Sequence, residues 1–271
     1  MFEYEFMKVA FLVGILLSVI IPLLGSILVF KRLSMIGDSL SHISLAGVAI
    51  GLIAGAQPML SAILFTVLAT LLIEMIRKKF PQYAEISLAI MMSAGIGLSG
   101  LLSSYVPANN FSSYLFGSII SISSLEIYLA IALFVSVLLF SILFYRDLMF
   151  ISYNETSAEL SGVPVKTVNI ILSVLTAVVI ALASKMIGAL IVSSIMVIPT
   201  ASSLQIAKSY KSTLLFAVLF SVISMIVGLT VSFYVGLKPG ATVCLINIAI
   251  LMIVLMIKAI VAKKQKHHKH N

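Results

Sequence analysis

Tryptophan is absent from this 271-residue sequence, cysteine occurs once, and only 10% of the residues are charged. The lone Cys244 excludes an internal disulfide and any cysteine-rich metal cluster, and is read as a small apolar helix residue. Soluble domains carry about 25% charged residues. With 61% hydrophobic residues and a mean hydropathy of +1.22, the scarcity of charge excludes a soluble globular domain and identifies a polytopic membrane protein. No Gly-x-x-x-x-Gly-Lys-Ser/Thr phosphate loop occurs, so any ATP energy must come from a partner. No His-Glu-x-x-His motif or nucleophile-base pairing occurs either, which argues against an intramembrane hydrolase. A basic region before the first apolar run is also missing: residues 1–8 carry Glu3 and Glu5, so the first span is expected to remain in the mature fold.

What is present is a series of apolar runs of the length a bilayer requires, roughly 17 to 25 residues. Nine are read, at about 6–30, 36–55, 59–76, 86–104, 126–145, 167–183, 186–206, 213–234 and 241–261. The link at 183–186 is so short that the sixth and seventh runs form either a tight hairpin or one irregular element, and eight is the fallback count. The net charge of +8 does not point to nucleic acid, because Lys and Arg fall between the runs rather than along one face. They follow the positive-inside rule instead. With the N-terminus outside, alternation places Lys31, Arg32, Arg77–Lys79, Arg146, Lys166, Lys208, Lys211, Lys258 and the four Lys of the tail in the cytoplasm. That is fourteen of the seventeen basic residues, leaving Lys8, Lys185 and Lys238 outside. The expected topology is therefore N-out, C-in. Lys185 is expected to snorkel to the outer interface.

Two segments are too short or too polar to cross. Residues 105–110, with Pro107 and Asn109-Asn110, read as an external loop, and the apolar 114–120 suits a half-helix or re-entrant piece shielded by protein. Ser123 or Ser124 ahead of Glu126 is a reasonable N-cap for the fifth span. On the cytoplasmic side, 154–164 has room for about two helical turns. Glu155 and Glu159 share a face there, Gly162 stands where a helix stops and Pro164 prevents continuation. This short helix is either a plain connector or a docking element for a cytoplasmic partner. The seventh run carries small residues and Pro199, which favour close packing and a kink.

Asp38 and His42 stand four residues apart at the head of the second run, one turn apart on one helix face. Ionisable groups at such depth are costly and mark function. A carboxylate beside an imidazole suits a borderline divalent metal such as Zn²⁺ or Mn²⁺, whereas a helix cap and an interhelical hydrogen bond form the alternative. The tail 263–271 holds three of the four His residues and reads as a solvated basic extension near anionic lipid, with a weak metal-acceptor role as the sharper reading. The remainder, 1–262, reads as a single transmembrane domain.

Five segments carry a family resemblance: KRLSMIGDSLSHISLAGVA (31–49), SSYLFGSI (112–119), AELSGVPV (158–165), MIGALIVSSIMVIPTA (186–201) and KPGATVCL (238–245). Together they resemble the permease subunits of bacterial zinc/manganese ABC importers, the ABC-3 family, and most of all the high-affinity zinc uptake permeases. The resemblance implies an all-α fold similar to the vitamin B12-type importers lacking one N-terminal helix, and no catalytic site in the chain. It also implies partners: a second copy of the chain, a cytoplasmic ABC ATPase dimer, an external metal-binding lipoprotein and membrane lipid. Asp38 and His42 would then be the metal-pathway residues, with Zn²⁺ ahead of Mn²⁺ as cargo. Glu155, Ala158, Glu159 and Gly162 would belong to the coupling helix that seats in the ATPase. A secondary metal transporter without an ATPase is the alternative; it would need its own coupling carboxylates, yet Asp38 is the only acid well inside a run.

Overall fold

A chain segment in hydrocarbon must satisfy its backbone N–H and C=O groups within itself, and the helix is the local structure that does so. The computed structural model describes residues 3–80, 83–106, 111, 114–115, 117 and 122–268. Among them run α1 (Glu5–Phe30), α2 (Ile36–Ile53), α3 (Pro58–Lys79), α4 (Ala84–Ser103), α5 (Ser124–Leu143), α6 (Tyr145–Tyr153), α7 (Glu155–Leu160), α8 (Val165–Ala183), a π-helical turn (Ser184–Gly188), α9 (Ala189–Ile206), α10 (Tyr210–Val235) and α11 (Pro239–His268). Their ends carry familiar stops. Pro58 opens α3, Gly162 (φ +85°) follows α7, and Gly236 (φ +72°) closes α10 in the left-handed conformation.

Eight helices among the described residues are long and apolar enough to cross a membrane. The ninth, α9, has a shorter apolar stretch, Ile191–Leu204, but crosses the same depth as residues 240–258 of α11. Gly240 lies flush on the Ile187 carbonyl at one end, and Lys258 Nζ donates to Gln205 Oε1 at 3.0 Å at the other. The uncertain link around Lys185 is thus resolved as a hairpin: the π turn ends at Gly188, whose φ of +106° reverses the chain. The helices divide by burial. The span window of α2 is 72% buried inside the protein, whereas those of α4, α5 and α11 are 17–22% buried and leave their remaining surface for lipid. Around α2 pack α3, α4, α8 and α9.

One expectation needs correction, and two features go beyond what the sequence indicates. Lys185 does not snorkel: its Nζ is ion-paired with Oε1 of Glu126, which is only 3% exposed, and it stands 6.0 Å from the centroid of the Tyr114 ring. A buried carboxylate competes better for the ammonium than the interface does, because leaving it unpaired is the costlier state. The other Glu126 oxygen accepts the Ser123 N–H at 2.9 Å, so one side chain both starts α5 and ties down the π turn. Second, the polar link after the fifth span contains an additional helix, α6, whose Leu148 and Ile151 are buried. Third, α11 stays helical to His268 rather than ending where the basic tail begins. Most of the expected loop and half-helix at 105–120 lies outside the described residues.

The Glu126–Lys185 pair makes a stability prediction. Lys185→Met should destabilise the detergent-solubilised protein by about 3 kcal/mol through the carboxylate it strands, and Lys185→Met with Glu126→Gln should recover most of that loss. Thermal unfolding of both variants checks this.

Candidate functional site

The position of α2 follows from where its glycines and small residues allow neighbours to approach. Gly47 and Gly51 face Ala62 and Pro58 of α3, and Gly37 faces Ser193 and Met196 of α9. Ser39 Oγ donates to the Leu88 carbonyl of α4 at 2.8 Å. Gly95 of α4 rests on the backbone at His42: a Cβ there would stand 2.8 Å from Ile43 N and 3.0 Å from His42 Cβ. Gly95 is the twelfth residue of the twenty in α4, so His42 lies near the middle of that crossing. Asp38 is thirteen residues from Gly51 at the α3 rim, about 20 Å along the axis at 1.5 Å per residue.

From 36 to 49 every residue of α2 is buried except Asp38 and His42, which are half-buried. The two ionisable side chains are therefore the positions of this stretch that remain accessible within one chain. They share a face with Met35 and Ile53, both exposed, and with the small Ala46 and Ala49. Among the described residues neither makes a hydrogen bond or ion pair, and no group of three or more His, Cys, Asp or Glu comes together. One chain thus offers one carboxylate and one imidazole on a face that the rest of the chain covers only in part.

At the end of the bundle where α1 and α3 finish, a second constellation forms around α7. Asn154 caps this helix, its Oδ1 accepting the Ser157 N–H at 3.0 Å. Glu155 Oε1 accepts from Lys31 Nζ (2.9 Å), Arg77 (2.9 Å) and Asn169 Nδ2 (3.2 Å). Lys31 also donates to Asn169 Oδ1 at 2.7 Å, and Arg77 clasps Glu74 at 2.9 Å. Burial works against the charged carboxyl, but the Lys31 ammonium and the Arg77 guanidinium hold Glu155 down to about 2. Burial, reinforced by Arg77, also lowers the Lys31 ammonium, with Glu155 opposing it.

The four expected coupling residues therefore do not act alike. Ala158 is buried, Glu155 is turned to the ends of α1, α3 and α8, and Glu159 and Gly162 are exposed beside Leu160, which is 85% exposed. Sequence reading did not identify Lys31, Arg77, Glu74 and Asn169 as partners of this segment. In sequence Lys31 and Arg77 stand out as topology signals, and nothing in the local pattern singles out Asn169.

Comparison with known proteins bears on the family and the fold. The ABC 3 transport family matches residues 3–258. The chain is 35% identical to a probable metal transport system membrane protein of Treponema pallidum, over 94% of this chain and 96% of that one. It is 30% identical to the high-affinity zinc uptake system membrane protein ZnuB of Haemophilus influenzae (89% and 93% covered), and 25% identical to the manganese import system permease protein ScaB of Streptococcus parasanguinis (99% and 95% covered). Among solved structures, a chain of PsaBC from Streptococcus pneumoniae in complex with Fab superposes with a TM-score of 0.82 at 23% identity, over 93% of this chain and 91% of that one.

A pH prediction follows for the Glu155 network. The folded value of about 2 lies below the ordinary 4.5, so the network's contribution is complete above pH 4.5 and is lost as pH falls towards 2. The stability deficit of Glu155→Gln should be flat from pH 8 to pH 5 and shrink below pH 4, as followed by thermal unfolding in detergent.

Proposed function

The chain belongs to the ABC 3 transport family, and on that footing we propose that it is the permease subunit of an ATP-driven importer of a divalent metal ion. The reading rests most heavily on α2, where the only accessible positions from 36 to 49 are a carboxylate and an imidazole near mid-depth. Relatives named for metal, zinc and manganese transport support the cargo class.

A divalent ion entering hydrocarbon must exchange its hydration shell for protein ligands. One Asp38–His42 pair supplies two donors, and two copies of the chain meeting on the α2 face supply four. Four nitrogen and oxygen donors suit Zn²⁺, and with added water they suit Mn²⁺. We place zinc first. Binding must be weak enough for release, so the shell is incomplete and transient. In this assembly the chain lies N-out, C-in, an ATPase dimer docks on the exposed side of α7 around Glu159 and Leu160, and an external metal-binding lipoprotein delivers the ion. Hydrolysis belongs to the ATPase subunits, so the permease itself is not an enzyme.

His42→Ala should lower metal uptake per assembled complex by at least the roughly 10–100-fold that loss of an outer-shell partner costs a metal site. Asp38→Asn should do nearly the same, and the double variant little more, because the two act as one unit. Wild-type uptake per His42→Ala complex, measured with radioactive zinc in vesicles, would remove the pair from the pathway. Orientation is tested separately by impermeant thiol reagents on intact cells, in a Cys244→Ser background. Ala56→Cys in the α2–α3 turn should label and Ser161→Cys should not; the reverse pattern would invert the topology.

A further inference from the structure

The exposed side of α7 is where a partner would dock, but Glu155, one turn before Glu159 on the same face and half-buried, reaches the bundle instead. It is the first residue of that six-residue helix. One of its carboxylate oxygens accepts from Lys31 directly after α1, from Arg77 in the last turn of α3 and from Asn169 in the first turns of α8. These three helices surround α2 in sequence or in space. α1 leads into α2 through residues 31–35. α3 is packed along α2 through Gly47 and Gly51. α8 lies against both α2 and α3. Lys31 is nearly inaccessible, with its side chain 4% exposed, so no solvent ion substitutes readily for the Glu155 carboxylate.

We propose that Glu155 is the positioning residue that transmits movement of α7 to the α2 helix, by clasping the ends of α1, α3 and α8 as one rigid unit. The proposal rests on the permease reading above and deepens it: docking and transmission are carried by different residues of one short helix. Glu159 and Leu160 are exposed and meet the partner, whereas Glu155, one turn earlier, is half-buried and ion-paired to the bundle. A push on α7 then shifts three helix ends together. Because the packed α2–α3 contact at Gly47 and Gly51 leaves no slack, α2 must follow and carry Asp38 and His42 with it. An interaction of this kind is charge-assisted and multidentate, hence short and directional. It belongs to a rigid element with discrete arrangements rather than to a compliant loop.

The test reconstitutes the permease with its ATPase and measures metal ions transported per ATP hydrolysed in assembled complexes. Glu155→Gln should leave ATPase association and basal hydrolysis in place while lowering the ratio by about fivefold or more, the lower end of coupling between distinct sites. Lys31→Gln opens only the arm to α1 and should lower it less. Glu155→Asp, which keeps the charge, should recover part of the ratio. Glu159→Lys should behave oppositely, weakening association but leaving the ratio unchanged in complexes that do form. A structural role alone would reduce the amount of folded protein without changing the ratio. An unchanged ratio in Glu155→Gln and Lys31→Gln, or loss of association in Glu155→Gln equal to that of Glu159→Lys, would overturn the assignment. Absence of ATP-driven metal transport by the wild-type complex would instead overturn the permease reading.

Discussion

A charge inside a hydrocarbon layer costs several kcal/mol unless another group compensates it, and this bundle is arranged around that constraint. Glu126 is buried at the start of α5 and is matched by Lys185 from the π turn. Glu74 is buried near the end of α3 and is clasped by Arg77. Glu155, below it, is shared among Lys31, Arg77 and Asn169. Asp38 and His42 are the exception: span-borne, half-buried and without a hydrogen-bonding or ionic partner among the described residues. In the proposed assembly, a cation and a second copy of the same pair complete it with matched chemistry.

The depth of the pair is produced by local structure rather than by a special cavity. The chain leaves α1 at Phe30 and turns through Arg32, which adopts a positive φ of 60°. It re-enters helix at Ile36, already level with Ser193 and Met196 of α9 and close to Leu88 of α4. Starting the second crossing inside the bundle makes α2 short and places its first polar residues among neighbouring helices instead of at the rim. The glycines at 37, 47, 51 and 95 then remove the side chains that would hold α9, α3 and α4 away. The backbone packs tightly on three sides, and the fourth side carries the Asp38–His42 pair.

Much of this was legible from the residues. Span positions follow from apolar length, because a bilayer imposes a minimum run, and the ends of α2, α3 and α10 fall within a few residues of expectation. The four-residue spacing of Asp38 and His42 already put them on one face, and Gly162 announced the end of α7. What escaped was every interaction joining residues distant in sequence. The Lys185–Glu126 pair links positions 59 apart and Lys31–Asn169 links positions 138 apart. Neither leaves a periodic trace. The π turn is only half legible: the shortness of the link at 183–186 marks a tight hairpin or an irregular element, but composition does not give its π form or the positive φ of Gly188. The contacts of Glu155 were hidden because its partners Lys31, Arg77 and Asn169 come from three other elements of the chain.

The central claim is that two copies of Asp38 and two of His42 hold one ion in transit. Its most direct test is X-ray absorption on Zn²⁺ bound to the purified permease dimer, with His267, His268 and His270 replaced by Ala to silence the tail. The account predicts one ion per two chains, a first shell of nitrogen and oxygen only, and loss of that shell in both Asp38→Asn and His42→Ala. One ion per chain, or a first shell that survives either substitution unchanged, would contradict it.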